Sequence, residues 1–201
     1  MRLQRTVLLR ADGGPIRGVC HLARTAGLAD ALTAAGHQPV LLLGGDLATV
    51  RAWCASHDVA ATVGAWDASE VRALAAVTAA SAVVLDGPRL VRQLGSALLG
   101  DANPDTIVLD DAGGVELPVA AIVNPAVGAD ALAATYPGAQ RRLLGRRYEI
   151  LRREVLRHGQ GACACRGRAP GTGSCSRSTT AARPARPRGC WRRYPRGLGS
   201  R

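Results

Sequence analysis

The sequence predicts an α/β fold, a doubly wound parallel sheet, over residues 1–156, and three observations carry that expectation. Short apolar runs recur along the chain and are continuous rather than alternating, the pattern of strands covered on both faces. Segments of roughly 10 to 15 residues with apolar positions at helical spacing separate them, which is the alternation of βαβ units. The apolar fraction, 47% of 201 residues, is enough for a core.

The elements follow in order. Thr6 to Leu9 is a short apolar strand ending in the turn Ala11-Asp12-Gly13-Gly14-Pro15. From His21 to Ala35, Leu22, Ala23, Ala26, Leu28, Ala29 and Leu32 recur at helical spacing, and Gly36 ends that helix. A strand over Pro39 to Leu43 leads to a helix opening at Asp46 and running through Val50, Trp53 and Cys54, then to a short strand near Ala60 to Val63. Asp67 with Glu70 three residues later is a capping box. Ser81 to Leu85 is a buried strand, Arg89 to Leu99 a helix, and Asp105 to Leu109 a second buried strand. Val119 to Val123 and Arg142 to Leu144 are further strands, the last followed by a helical turn through Tyr148 and Leu151. In such sheets ligands sit beyond the carboxyl ends of the strands, where Asp12, Gly18, Asp86, Asp110 and Asp111 fall.

Charge divides the chain. Residues 1–156 hold 15 arginines and all 15 acidic residues, whereas residues 157–201 hold 11 arginines and no acid, so the formal charge of +11 belongs entirely to the C-terminal stretch. The basic balance therefore does not mark the α/β part as a nucleic-acid-binding domain. Lysine is absent throughout, as expected of GC-rich coding. From Arg157 onward Leu198 is the only Val, Ile, Leu, Met or Phe, so this stretch is expected to be disordered. Cys20 and Cys54 are isolated, and Cys163, Cys165, Cys175 and Cys190 lack any repeated C-x-x-C unit, which suits neither a zinc site nor a disulfide framework. No apolar run approaches the roughly 20 residues of a membrane span, and Val7 to Leu9 is too short for a signal sequence. The expectation is a cytoplasmic protein with no metal and no cofactor.

The segment Arg10-Ala11-Asp12-Gly13-Gly14-Pro15-Ile16-Arg17-Gly18-Val19-Cys20-His21-Leu22-Ala23-Arg24 carries the chemistry. A glycine-bearing turn lets backbone approach a ligand, and His21 at a helix start sets an imidazole beside free helix amides, an arrangement suited to an anionic ligand and a general base. On composition alone a lone histidine there is more commonly a cap or a surface residue. The dinucleotide pattern G-x-G-x-x-G is absent.

This segment resembles the first loop of the UDP-2,4-diacetamido-2,4,6-trideoxy-β-L-altropyranose hydrolases of the pseudaminic acid pathway and of the related spore coat polysaccharide biosynthesis proteins, R-[AS]-D followed by G-x-G-H-x-x-R. Arg10, Asp12, Gly18, His21 and Arg24 fall in register. Further matches follow in order at Val83 to Asp86, Ile107 to Asp111, Ile122 to Asn124 and Leu143 to Glu154. Cys20 replaces the second glycine of the motif, and Gly87-Pro88 stands where an aromatic commonly follows Asp86.

The resemblance implies one Rossmann-like half of a GT-B-type fold and a metal-free reaction in which water displaces UDP at the anomeric carbon. It places the catalytic base on His21 and substrate contacts on Gly18, Val19, Cys20, Arg24 and Arg152. Asp12, Asp86, Asp110 and Asn124 are polar support, although a strand-end Asp that only caps a helix is an equal reading of Asp86 and Asp110. The second domain of that fold, which holds most of the nucleotide, would begin where the arginine-rich stretch begins. The expectation is then a truncated hydrolase, inactive alone, with an out-of-frame tail, unless a separately encoded second domain completes it. Two alternatives stand beside it: a glycosyltransferase-type protein of spore coat or cell-surface polysaccharide assembly, and a non-enzymatic binder of anions or nucleic acid through the arginines, whose only aromatics are Trp191 and Tyr194.

Overall fold

The computed structural model describes residues 3–16, 18–100, 103–151 and 155. The expected disorder of residues 157–201, and the site residue Arg152, lie outside them.

Seven strands form one parallel sheet: β1 Thr6–Gly13, β2 Gln38–Gly45, β3 Thr62–Val63, β4 Ala82–Asp86, β5 Asp105–Leu109, β6 Ala121–Asn124 and β7 Arg141–Leu144. Their spatial order is β3-β2-β1-β4-β5-β6-β7. The chain builds outward from β1 to β3, returns, and builds the other way from β4 to β7. The reversal falls between β1 and β4, the switch point at which such sheets open a crevice.

Strand side chains alternate between two cores, which is why continuous apolar runs were required. On one face Val7, Leu9, Leu41, Leu43 and Val84 pack with α1 (Cys20–Ala34) and α2 (Leu47–His57). On the other, Leu8, Leu42, Val83, Leu85 and Val108 pack with α3 (Ala68–Val77) and α4 (Pro88–Leu94). Leu8, Leu42, Leu43 and Leu85 are completely buried, each contributing about 1.5–3 kcal/mol relative to an exposed side chain. The helix ends follow their residues. Asp46 caps α2 by accepting from the Thr49 amide, and Asp67 with Glu70 forms the expected capping box on α3. Gly36, at φ 85°, ends α1.

Several boundaries differ from expectation, each for a local reason. β1 continues to Gly13, so Ala11, Asp12 and Gly13 are strand rather than turn, and the turn proper is closed by Gly14 and Gly18. That extension is possible because β2 also ends in glycine: a Cβ on Gly45 would stand 2.2 Å from the Gly13 carbonyl oxygen. The helix expected over Arg89 to Leu99 stops at Leu94, and Ser96–Leu98 continues as a 3-10 turn past Gly95. β6 begins at Ala121, two residues late, and the turn after β7 is a 3-10 segment, Arg146–Tyr148, that does not reach Leu151. A third 3-10 segment, Ala129–Thr135, carries no helical periodicity that would have announced it. Among the described residues no helix is long and apolar enough to cross a membrane.

Candidate functional site

The switch point gathers one group of charged side chains. α1 starts just beyond the end of β1, and His21, Arg24 and Thr25 lie three and four residues apart on it, one helical face. All three meet Asp86, the last residue of β4. His21 Nδ1 is 2.8 Å from Asp86 Oδ1, Arg24 Nε donates to Oδ2 at 3.0 Å, and Thr25 Oγ1 donates to Oδ2 at 3.1 Å. Arg24 Nη2 also donates to Oδ1, and Arg24 Nη1 donates to Asp111 Oδ1 at 2.6 Å. Asp86 is 2% exposed while the His21 side chain is 26% exposed, so a buried carboxylate backs a half-buried imidazole.

The protonation states follow from these contacts. A carboxylate oxygen at 2.8 Å from Nδ1 requires the imidazole proton on Nδ1, which leaves Nε2 as the basic nitrogen. The Asp86 hydrogen bond lifts His21 above the ordinary imidazole value, outweighing burial, which pulls it down. Burial pushes Asp86 upward, but His21 and Arg24 outweigh it and hold the carboxyl below its usual range. For Arg24, burial acts downward and the hydrogen bonds to Asp86 and Asp111 more than restore the charge. The result is an oriented imidazole against a carboxylate whose ionised form is favoured.

His21, Cys20 and Arg24 line a small cleft of about 250 Å³ together with Asp111, Pro125 and Glu149. Gly87, at φ 115°, lies beside the ring; a Cβ there would stand 3.6 Å from His21 Cε1. Gly18 exchanges backbone hydrogen bonds with Gly14 at 2.7 and 3.2 Å, and Val19 stands at the N-cap of α1. The loop thus delivers Cys20, exposed, as the first helical residue next to His21.

The remaining expected residues lie elsewhere. Asp12 pairs with Arg10 on the same face of β1, Arg10 Nη1 to Asp12 Oδ1 at 2.7 Å. Asp110 and Asn124 share Tyr136, which the sequence reading missed: Tyr136 Oη donates to Asp110 Oδ2 at 2.7 Å and accepts from Asn124 Nδ2 at 2.9 Å. Asp110 Oδ2 also accepts the Gly113 amide at 2.6 Å. Burial, followed by the Asp110 contact, pushes the Tyr136 phenol up to about 12. Thr25 was missed as well, although its spacing from His21 and Arg24 was the available signal. Arg24, expected to touch substrate, spends its donors on Asp86 and Asp111.

Fold and site together define a doubly wound α/β domain with a buried aspartate and a histidine paired at its switch point. No family model matches the chain, and no curated protein matches it.

Proposed function

We propose that this domain hydrolyses a UDP-linked 2,4-diacetamido-2,4,6-trideoxyhexose, with His21 as the base that activates water, in nonulosonic acid or surface polysaccharide synthesis in the cytoplasm. The observation that carries the reading is the His21–Asp86 pair at the β1/β4 switch point, where the ordered motif resemblance also places the catalytic histidine. Water attacks the anomeric carbon, its proton passes to His21 Nε2, and the bond between that carbon and the β-phosphate oxygen breaks, UDP leaving with the electron pair. Asp86 stabilises the imidazolium that forms and holds the ring through Nδ1. Arg24 and Thr25 act by holding Asp86, so they are positioning residues in this scheme.

The test is UDP release from the altropyranose sugar nucleotide by the full chain. The resemblance by itself implies a domain inactive without a second, nucleotide-holding one; the assembled His21–Asp86 pair argues instead for activity of the full chain, so release by the wild type and a fall of about 10²–10⁴-fold in His21→Ala are expected. Absence of release from folded wild-type protein, or release that survives His21→Ala, contradicts the proposal.

A further inference from the structure

A second cleft, of about 1030 Å³, opens beyond the ends of β1, β2 and β3, and its lining does not include His21. From its geometry we infer that it is a binding site for an uncharged pyranose, with the sugar stacked on Trp66. The inference does not depend on the hydrolase reading.

Trp66 carries the argument. Its backbone sits at φ 48°, a left-handed conformation that is rare and costly for a bulky side chain and persists only where surroundings enforce it. Those surroundings are specific. The indole Nε1 donates to the Thr62 carbonyl at 3.1 Å, and a Cβ on Gly64 would stand 3.2 Å from that nitrogen. Below, Arg10, only 3% exposed, pairs with Asp12 and reaches the Ala65 carbonyl with Nη2 at 3.3 Å, anchoring the backbone immediately before Trp66. A Cβ on Gly44 would meet the Gly64 carbonyl oxygen at 2.7 Å and Arg10 Nη2 at 2.9 Å. Two glycines and a buried ion pair therefore hold a half-buried indole at the wall of the cleft.

The chemistry of the other walls selects the ligand class. Among the described lining residues Arg10, Arg72 and Arg89 are balanced by Asp12, Asp46 and Asp67. Asp46 and Asp67 are held below the usual carboxyl range by hydrogen bonds from Thr49 and from Ser69 respectively, so both remain charged at neutral pH. The formal charges cancel, which gives a phosphate no net attraction. Donors and acceptors set around an aromatic wall match a neutral polyhydroxyl ring, whose apolar face stacks while its hydroxyls bridge arginine and aspartate.

Ligand-observed saturation-transfer NMR with N-acetyl-D-glucosamine as probe, on the full chain, decides the matter. Saturable binding is expected, weakened at least about tenfold by Trp66→Ala and also by Arg89→Ala, an exposed residue whose loss does not threaten the fold. Binding should persist in His21→Ala, so failure of the hydrolase reading would leave this one standing. Folded wild-type protein that does not bind the sugar overturns the inference, as does an affinity unchanged by Arg89→Ala if Trp66→Ala fails to fold, or by both variants if it folds. Saturable binding of inorganic phosphate in preference to the sugar overturns the ligand class.

Discussion

Asp86 ends β4 and Asp110 directly follows the adjacent β5, 2% and 1% exposed, and nothing in their local sequences separates them. Their surroundings do. Asp86 receives a guanidinium, an imidazole and a hydroxyl, all from one face of α1. Asp110 receives a phenol and a backbone amide, both neutral, and its Oδ1 has no partner among the described residues. The first arrangement couples a carboxylate to an imidazole whose pKa it raises; the second ties down the residue that closes a 3-10 segment. A buried strand-end carboxylate is therefore not evidence of chemistry by itself. The partner decides.

Removing the charge separates the two most strongly. Asp86→Asn leaves Arg24 buried with a diminished counter-charge and should cost about 3–5 kcal/mol, with a fall in UDP release of about 10²-fold or more. Asp110→Asn keeps an acceptor for Tyr136 and Gly113, and should cost about 1 kcal/mol with release nearly unchanged. Denaturant unfolding and initial rates on both variants check the contrast, and equal losses would erase it. Tyr136→Phe strips the hydroxyl that bridges Asp110 and Asn124 and should lower stability by about 1–3 kcal/mol without altering catalysis. The smallest effect is expected of Thr25→Val, which removes one donor from Asp86 while Arg24 and His21 remain: about 1 kcal/mol in the same unfolding assay, with a modest rise in the Asp86 pKa.

Much of this fold was legible because burial on both sheet faces forces long apolar runs, and because Asp46, Asp67 and Gly36 mark helix ends by their own chemistry. Boundaries were less legible where pairing, not composition, decides them. Asp12 read as a turn residue and Arg10 lay past the expected strand end, yet the strand accepts both because they neutralise each other across one face. His21 and Arg24 could be read from their motif, and Thr25 could have been added from helical phase. The sharing of Tyr136 by Asp110 and Asn124 could not, since a 3-10 segment brings that ring back over 12 and 26 residues with no periodic signal. Trp66 left no trace either, because its conformation is imposed by Gly64, Gly44 and Arg10 together.

The pH dependence follows from the same pair. His21, raised in the folded state, contributes stability that is fully present below the unfolded value of 6.5 and is lost as pH rises through the folded pKa. Asp86, depressed, contributes stability present above 3.8 and lost as pH falls through its folded pKa. As a base His21 must be neutral, so UDP release should rise with pH through a midpoint above 6.5.

An NMR titration of the His21 imidazole, assigned by its disappearance in His21→Ala, tests the coupling without reference to any substrate. The account predicts a midpoint above 6.5 in the wild type and in Asp110→Asn, and a lower midpoint in Asp86→Asn. A midpoint that Asp86→Asn leaves unchanged would contradict it.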